Sequence, residues 1–130
     1  MFPSLDPARW HELYADRAVT MLVAEDEMDM LGFTICGECR DPDAGEDVGE
    51  VRVMFAAPAA WGRGAGSALM TAALDDLRER GYSEATVWSF AANDRANRFY
   101  ERHGFTRDGA VRTEETWAHI PEVRYRRALP

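Results

Sequence analysis

Three glycines occupy alternate positions in the segment Gly62-Arg63-Gly64-Ala65-Gly66, and Ser67 follows it directly. Strand-forming residues precede this segment, and apolar residues at helical spacing follow it. Backbone N–H groups at such a helix start are not shielded by side chains, so they can bind phosphate oxygens with help from the helix dipole. The segment predicts an anion site in which Arg63 adds a charged contact. The alternative is a turn with a purely structural role.

The common phosphate loops do not fit this segment. All 15 basic residues of the chain are arginine, which excludes loops that need a lysine and also excludes Schiff-base chemistry. The dinucleotide fingerprint, read from Gly64, requires a third glycine where Leu69 stands. Neither motif is present, so the segment keeps only the mechanism that both motifs use, which is anion binding by backbone N–H groups at a helix start.

A second group of residues lies downstream. Asn93 follows a predicted strand and caps a helix that carries Ala96, Phe99 and Tyr100 on one side before Gly104 ends it. The succession of strand, turn and helix thus occurs twice. On spacing alone, Tyr100 is interpreted as a core aromatic residue.

The apolar patterns around these two groups predict a single mixed α/β domain over residues 1–130. A short first helix begins at Asp6-Pro7 and places Trp10, Leu13 and Tyr14 on one face. The later helices are residues 64–80, closed by Gly81, and the helix capped by Asn93; the strands are residues 18–24, 31–40, 50–57, 85–90, 110–117 and 122–128. This order predicts antiparallel hairpins, a helical crossover between central strands, and a site where those strands meet their helices.

Composition narrows the class of partner. The formal charge of −8 argues against nucleic-acid and anionic-membrane partners and favours cationic ones, with the acidic loop at residues 41–50 as the attracting surface. The sequence shows neither a leader pattern nor an apolar run of membrane-spanning length, so we expect a soluble cytoplasmic protein.

The two cysteines and an alternating aromatic pair can each be interpreted as structural or as functional. Cys36 and Cys39 are interpreted as one inward and one outward thiol of a strand; a metal or redox site is the alternative, and no metal is expected. Trp88 and Phe90 alternate along a strand, so they are expected to face the same side and to pack against a helix or a cofactor arm, with core packing as the default interpretation.

The two groups together resemble the GCN5-related N-acetyltransferase (GNAT) family over roughly residues 18–127. The first family signature, a strand, a proline and a Gln/Arg-x-x-Gly-x-Gly/Ala turn, is matched by residues 51–57, Pro58 and residues 61–66, except that Trp61 replaces the usual Gln or Arg. That replacement removes one side-chain donor. The second signature is matched by Asn93, Ala96, Phe99-Tyr100 and Gly104-Phe105.

The resemblance implies a mostly antiparallel sheet whose splayed central strands, flanked by helices, hold acetyl-CoA. The backbone of Met54, Phe55 and Ala56 would bind the pantetheine arm, and one of their N–H groups would stabilise the oxyanion. The pyrophosphate would lie over residues 63–67, and Asn93 would contact the arm. The other cofactor-binding residues implied are Trp61, Gly62, Arg63, Gly64, Ala65, Gly66, Ser67, Ala96, Phe99 and Tyr100.

The same resemblance implies catalytic roles. Tyr100 would be the general acid, because a phenol with a pKa near ~10 can protonate a departing thiolate without being ionised at neutral pH. Glu50 would remove a proton from the incoming amine, often through water. The alternative for Glu50 is a solvated carboxylate at a strand end, with Glu38, Glu114, Glu115 or His119 as the base.

The function implied is transfer of an acetyl group from acetyl-CoA to a primary amine of a small molecule or protein, by direct attack. A non-catalytic acyl-CoA-binding or interaction module is the alternative. Family members begin with a strand and one or two helices, whereas this chain offers only about one helix before residue 18. It is therefore expected to be a natural short form, part of a longer product, or a homodimer that completes the sheet or pocket.

Overall fold

A computed structural model describes residues 10–15, 19–27, 29–114 and 118–130, with the backbone alone for residues 10–15. The described strands form one seven-stranded sheet in the order β1-β2-β3-β4-β5-β7-β6. The strands are β1 (Trp10–Ala15), β2 (Val19–Glu25), β3 (Met30–Glu38), β4 (Val48–Ala56), β5 (Glu84–Phe90), β6 (Thr106–Thr113) and β7 (Pro121–Ala128). The helices are α1 (Ala65–Glu79) and α2 (Asp94–Arg102), and a 3-10 turn (Pro58–Ala60) precedes α1. Within these ranges, no helix has the length and apolarity to cross a membrane.

The predicted mixed sheet flanked by helices is confirmed, and the prediction of a short first helix at its start is wrong for residues 10–15. Residues 10–15 form β1, which pairs antiparallel with β2, rather than a helix. Trp10, Leu13 and Tyr14 have helical spacing, but pairing with β2 decides the local structure, as tertiary context often does for a short segment. The hairpin is therefore preceded by a strand, and the helix start predicted at Asp6-Pro7 lies outside the described residues.

β4 and β5 are the parallel pair that positions the site. They pair only at Val48↔Glu84, Gly49↔Ala85 and Glu50↔Thr86, and no further pairing joins them along the described length of either strand. On its other side, β4 stays paired with β3 as far as Ala56. The two central strands therefore splay apart, and one edge of β4 faces an opening.

Both helices pack on the same face of the sheet. Met70, Leu74 and Leu77 of α1 share a buried cluster with Val87 of β5 and Tyr100 of α2. The helix start is held by a second cluster that contains Ala65, Leu69 and Leu22. The apolar face of the longest predicted helix is thereby buried, and Gly81 follows it at φ 94°, as a left-handed C-terminal cap requires.

The last strand pair is confirmed with a different start. β6 begins at Thr106 rather than at residue 110, because Thr106 pairs with Arg126 of β7. The residues of β6 before Ala110 are exposed, so apolar alternation could not signal them. Residues 115–117, the end of the predicted strand, lie outside the described residues.

The two thiols of β3 and its end have different surroundings. The Cys36 thiol is buried and donates to Asp76 Oδ2 at 3.5 Å. The Cys39 sulfur is half-buried and accepts from the Thr86 hydroxyl at 3.4 Å. Cys36 thus contacts α1 and Cys39 contacts β5, as expected if one thiol points inward and the other outward. Burial raises the pKa of the Cys36 thiol to about 12.

Candidate active site

A cleft of about 720 Å³ opens at the splay between β4 and β5. It is bounded by the end of β4, the turn and first residues of α1, and the side of α2. The lining residues are Met54, Phe55, Ala56, Pro58, Ala60, Trp61, Gly62, Gly64, Ala65, Gly66, Ser67, Asn93, Arg95, Ala96, Arg98, Phe99, Tyr100 and Arg102. The two groups of residues recognised in the sequence thus form the walls of one cavity.

The start of α1 offers backbone donors to this cleft. Gly64, the residue before the helix, has φ 87° and provides no side-chain cap, and no acidic residue stands in the first turn. The first helical bond runs from the Ala68 N–H to the Gly64 carbonyl, so the N–H groups of Ala65, Gly66 and Ser67 precede the helical ladder. Unpaired N–H groups at the positive end of a helix dipole attract an anion.

The free edge of β4 offers a second set of donors. The Ala57 N–H donates to the Leu31 carbonyl of β3 at 2.8 Å. Backbone groups along a strand alternate between its two sides, so the N–H groups of Ala56 and Met54 point toward the splay, and that of Phe55 points toward β3. Of the three residues implied by the family resemblance, two therefore present N–H groups to the cleft.

Three arginines of α2 line the cleft without carboxylate partners. Arg95, Arg98 and Arg102 form no ion pair with any acidic residue in the described ranges. The remaining described arginines contact a carboxylate, carbonyl or hydroxyl; these are Arg40, Arg52, Arg63, Arg78, Arg80, Arg107, Arg112, Arg124, Arg126 and Arg127. In a chain of formal charge −8, three neighbouring arginines that line one cleft without a carboxylate partner indicate a polyanionic ligand.

Trp61 lies at the mouth of the cleft, in contact with both walls. Its indole N–H donates to the Ala56 carbonyl at 2.9 Å. The guanidinium of Arg95 lies over the indole ring, 3.9 Å from the centroid. Trp61, the residue that departs from the family signature, therefore has the Arg95 cation over the face of its ring.

Tyr100 is the buried aromatic residue of the cleft wall. Only 7% of it is exposed, and its ring packs at 5.9 to 6.1 Å from those of Tyr125 and Phe105. Burial disfavours the phenolate and raises the pKa of Tyr100 to about 12. The side chain therefore presents a protonated phenol to the cleft at neutral pH.

Two asparagines hold α2 in place. Asn93 accepts from the Ala96 N–H at 3.1 Å as the predicted N-cap, and it lines the cleft. Asn97 is buried, accepts from the Ser89 hydroxyl at 2.7 Å and donates to the Ala91 carbonyl at 3.1 Å. Asn97 was not singled out from the sequence, although it stands one helical turn after the cap on the side facing β5.

Ser67 and His103 connect the two helices beside the cleft. The Ser67 hydroxyl lies 3.1 Å from His103 Nε2. Burial, followed by the guanidinium groups of Arg102 and Arg127, lowers the pKa of His103 below its ordinary value. A neutral imidazole therefore faces the first turn of α1 at neutral pH.

The comparison with protein families agrees with this architecture. The family model described as the acetyltransferase (GNAT) family matches residues 1–105. The chain belongs to the GNAT family. The splayed strands, the glycine turn and the α2 wall are thus the elements of a GNAT domain.

Known proteins show the same relationship. A mycothiol acetyltransferase of Renibacterium salmoninarum is 37% identical to this GNAT chain over 91 residues, which are 69% of the chain and 27% of that protein. Nourseothricin acetyltransferase matches at 25% identity with a TM-score of 0.74, over 87% of this chain and 66% of its own. PaiA N-acetyltransferase of Thermoplasma acidophilum, solved in complex with coenzyme A, matches at 15% identity with a TM-score of 0.67. The match covers 85% of this chain and 61% of that protein. The GNAT chain spans about a quarter of the length of the curated relatives it matches.

Two residues implied by the GNAT resemblance lie apart from the cleft lining. Arg63 turns toward the loop after β2 and pairs with Asp26 at 3.5 Å. Glu50 is buried and belongs to the last residue pair that joins β4 to β5 before the strands splay. Its carboxylate lies 3.4 Å from the Arg40 backbone N and 3.7 Å from the Arg40 guanidinium. The backbone at position 63 still belongs to the turn before α1, but the side chain contributes its charge elsewhere.

The other base candidates also lie away from the described cleft lining. Glu38 ends β3 and is exposed. Glu114 pairs with Arg112 at 3.4 Å, and His119 stands in the turn before β7 with φ 59°. Glu115 falls outside the described residues. Within the described ranges, no cluster of His, Cys, Asp or Glu side chains is arranged to hold a metal ion.

The expectation for Trp88 is wrong. Its ring lies beneath the Arg112 guanidinium, 4.1 Å from the centroid, and its N–H donates to Asp41 Oδ2 at 2.9 Å. Trp88 therefore contacts β6 and the loop after β3, and it lies outside the cleft lining. Asp41 and Asp43 also pair with Arg124, at 3.0 and 2.7 Å. These ion pairs reduce the negative potential that the composition of residues 41–50 suggested.

Proposed function

We propose that this GNAT domain, residues 1–130, transfers an acetyl group from acetyl-CoA to a primary amine by direct attack. One observation carries the proposal: the free N–H groups of the α1 start and the three unpaired arginines of α2 face the same cleft. That arrangement fits the diphosphate and the further phosphate of coenzyme A, and the known structure of PaiA N-acetyltransferase contains coenzyme A in the same fold. The donor supplies a thioester, and the chain supplies binding and proton transfer.

The residues at the splay would perform the chemistry. The N–H groups of Met54 and Ala56 would hold the arm of the donor, and one of them would stabilise the developing oxyanion on the acetyl carbonyl. As the amine forms the new C–N bond and the C–S bond breaks, Tyr100 would donate its proton to the leaving sulfur. Asn93, Ala96 and Phe99 would complete the wall against the arm.

Glu50 is proposed as the base that deprotonates the incoming ammonium. It stands four residues before Met54 on β4, a separation of roughly 13 Å at the rise of an extended strand. A chain of water would therefore carry the proton. Replacing Glu50 with Gln is expected to lower kcat, with a smaller loss at high pH where the free amine is already abundant.

The acceptor is proposed only as a primary amine of a small molecule or protein. The relatives named mycothiol acetyltransferase share too little of their length with this chain to lend it their acceptor. We further infer that the protein is cytoplasmic, where acetyl-CoA and reduced thiols occur together, and that nucleic acids and membranes are not its partners, given its negative charge.

Calorimetry with acetyl-CoA followed by a thiol-release assay over an amine panel tests the proposal. Binding together with amine-dependent release of thiol supports an acetyltransferase. Binding without turnover on any amine would favour the alternative, an acyl-CoA-binding module, and absence of binding would contradict both.

We also propose homodimerisation through an open edge of the sheet. β1 is an outer strand of the sheet in the described chain, and an unpaired strand edge favours pairing with a second copy. Light scattering of the active protein is expected to give a dimer mass; a monomer mass at assay concentrations would remove the idea.

A further inference from the structure

The GNAT signature has Gln or Arg where this chain has Trp61, so the cofactor turn lacks one side-chain donor. Half of Trp61 is exposed at the cleft mouth (49%), and its N–H is engaged by the Ala56 carbonyl at 2.9 Å. That bond fixes the plane of the indole and takes away its only hydrogen-bond donor. Trp61 itself therefore cannot donate to a phosphate in this position.

Arg95 occupies an unfavourable place for a cation. It lies in the first turn of α2, at the positive end of the helix dipole, where a positive charge is destabilising. Within the described chain no carboxylate pairs with it. The face of the Trp61 ring, 3.9 Å away, is the contact that holds the guanidinium across the cleft.

Both residues stand next to the donors of the glycine turn. Trp61 directly precedes Gly62 and stands three residues before Gly64, and the positive φ angles of these glycines, 81° and 87°, shape the turn. Arg95 approaches from the opposite wall of the same cavity. The indole face offers no hydrogen-bond acceptor to the guanidinium above it, so the N–H groups of Arg95 remain available to anion oxygens.

We propose that Arg95, positioned by Trp61, is a ligand of the donor's diphosphate and takes the place of the missing side-chain donor at position 61. The proposal rests on the proposed function, because it needs a diphosphate donor in the cleft. It makes Trp61 a positioning residue and Arg95 a specificity residue for phosphate-bearing donors.

The test compares donors with and without the diphosphate. For Arg95→Gln, we expect the Kd for coenzyme A, measured by calorimetry, to rise about tenfold, the loss of one charge-assisted contact. The KM for S-acetylpantetheine, which lacks the diphosphate, should not change. Dephospho-coenzyme A, which keeps the diphosphate but lacks the 3′-phosphate, should show the same loss as coenzyme A.

Variants at position 61 test the positioning role. Trp61→Ala should weaken coenzyme A binding about threefold to tenfold, Trp61→Phe should retain most of the affinity, and Arg95→Gln combined with Trp61→Ala should be little weaker than Arg95→Gln alone. Arg78→Gln, which removes a surface charge paired with Asp75 on α1, is the matched control and should bind normally.

The outcomes separate the two proposals. Failure of the wild-type protein to bind coenzyme A would overturn the proposed function and this inference with it. Wild-type binding with unchanged affinity in Arg95→Gln, additive losses in the double variant, or an equal loss for S-acetylpantetheine would overturn the inference and leave the proposed function standing.

Discussion

Tyr100, the proposed general acid, is buried, and its burial determines the pH dependence expected of that role. Since burial raises the pKa of its phenol to about 12, the proton-donating form persists through the neutral and moderately alkaline range. For an amine acceptor, we expect Tyr100→Phe to lower kcat about 100-fold, within the usual contribution of a general acid, with little change in the KM for acetyl-CoA.

The wild-type pH profile gives a second readout for Tyr100. No alkaline loss of kcat from this residue is expected below about pH 11, because its phenol ionises only near the raised pKa. An unchanged kcat in Tyr100→Phe would remove the acid role, and an alkaline limb near pH 10 that vanishes in Tyr100→Phe would show that the phenol titrates normally.

Position 64 requires glycine because of its backbone angle, not because a side chain would lack space. Its φ is 87°, and an added Cβ would meet no atom within 4 Å. Gly64→Ala is expected to lower the free energy of unfolding by about 1 kcal/mol through left-handed strain alone. Asn tolerates this conformation better, so Gly64→Asn should lose less. Urea unfolding of the two variants measures the difference, and equal losses for Ala and Asn would contradict this origin.

The sequence predicted residues whose role depends on type and spacing. Asn93 and Tyr100 belong to a motif and line the cleft as the resemblance implied. Arg95 was not singled out, because an arginine is notable only when it lacks a partner. The partners of the other arginines come from distant parts of the chain, as when Arg124 pairs with Asp41.

At the scale of elements, α2 depends on a buried polar anchor. Asn97 joins the helix to β5 through the Ser89 hydroxyl and to the Ala91 carbonyl. Asn97→Ala should lower the free energy of unfolding by about 2 kcal/mol, because Ser89 loses a buried hydrogen bond and Ala91 a partly buried one. It should also weaken coenzyme A binding, because the arginines of α2 lose their fixed positions.

Ser89→Ala is the matched variant for this anchor, since it removes one of the two contacts. It should cost less than Asn97→Ala, and the double variant should cost less than the sum of the two. Fully additive losses in chemical denaturation would show that the two side chains do not stabilise α2 as a unit.

The elements predicted correctly from the sequence are those with one buried apolar face and one exposed face. α1 shows this best, because Leu69, Leu74 and Leu77 are buried at helical spacing. β1 was misread because Trp10, Leu13 and Tyr14 have the same spacing in a segment of only six residues. The start of β6 was missed because its exposed residues carry no apolar pattern.

At the scale of the whole molecule, charge is distributed in a way that composition alone does not reveal. The formal charge is −8, yet the carboxylates of Asp41 and Asp43 are paired with Arg124. The arginines of α2 face the cleft unpaired. The protein is therefore acidic overall with a local cationic cleft, and the proposed donor would be drawn to that cleft against the net charge.

This distribution predicts how donor binding responds to salt. Raising the salt concentration from about 0.1 M to about 1 M shortens the Debye length from about 10 Å to about 3 Å. The solvent-exposed attraction between the α2 arginines and the donor phosphates is then largely screened, so the Kd for coenzyme A should rise several-fold. The KM for S-acetylpantetheine should stay nearly constant, because that donor carries no phosphate. If both donors lost affinity equally, salt would be acting on the fold rather than on the cleft, and the electrostatic account of donor binding would be wrong.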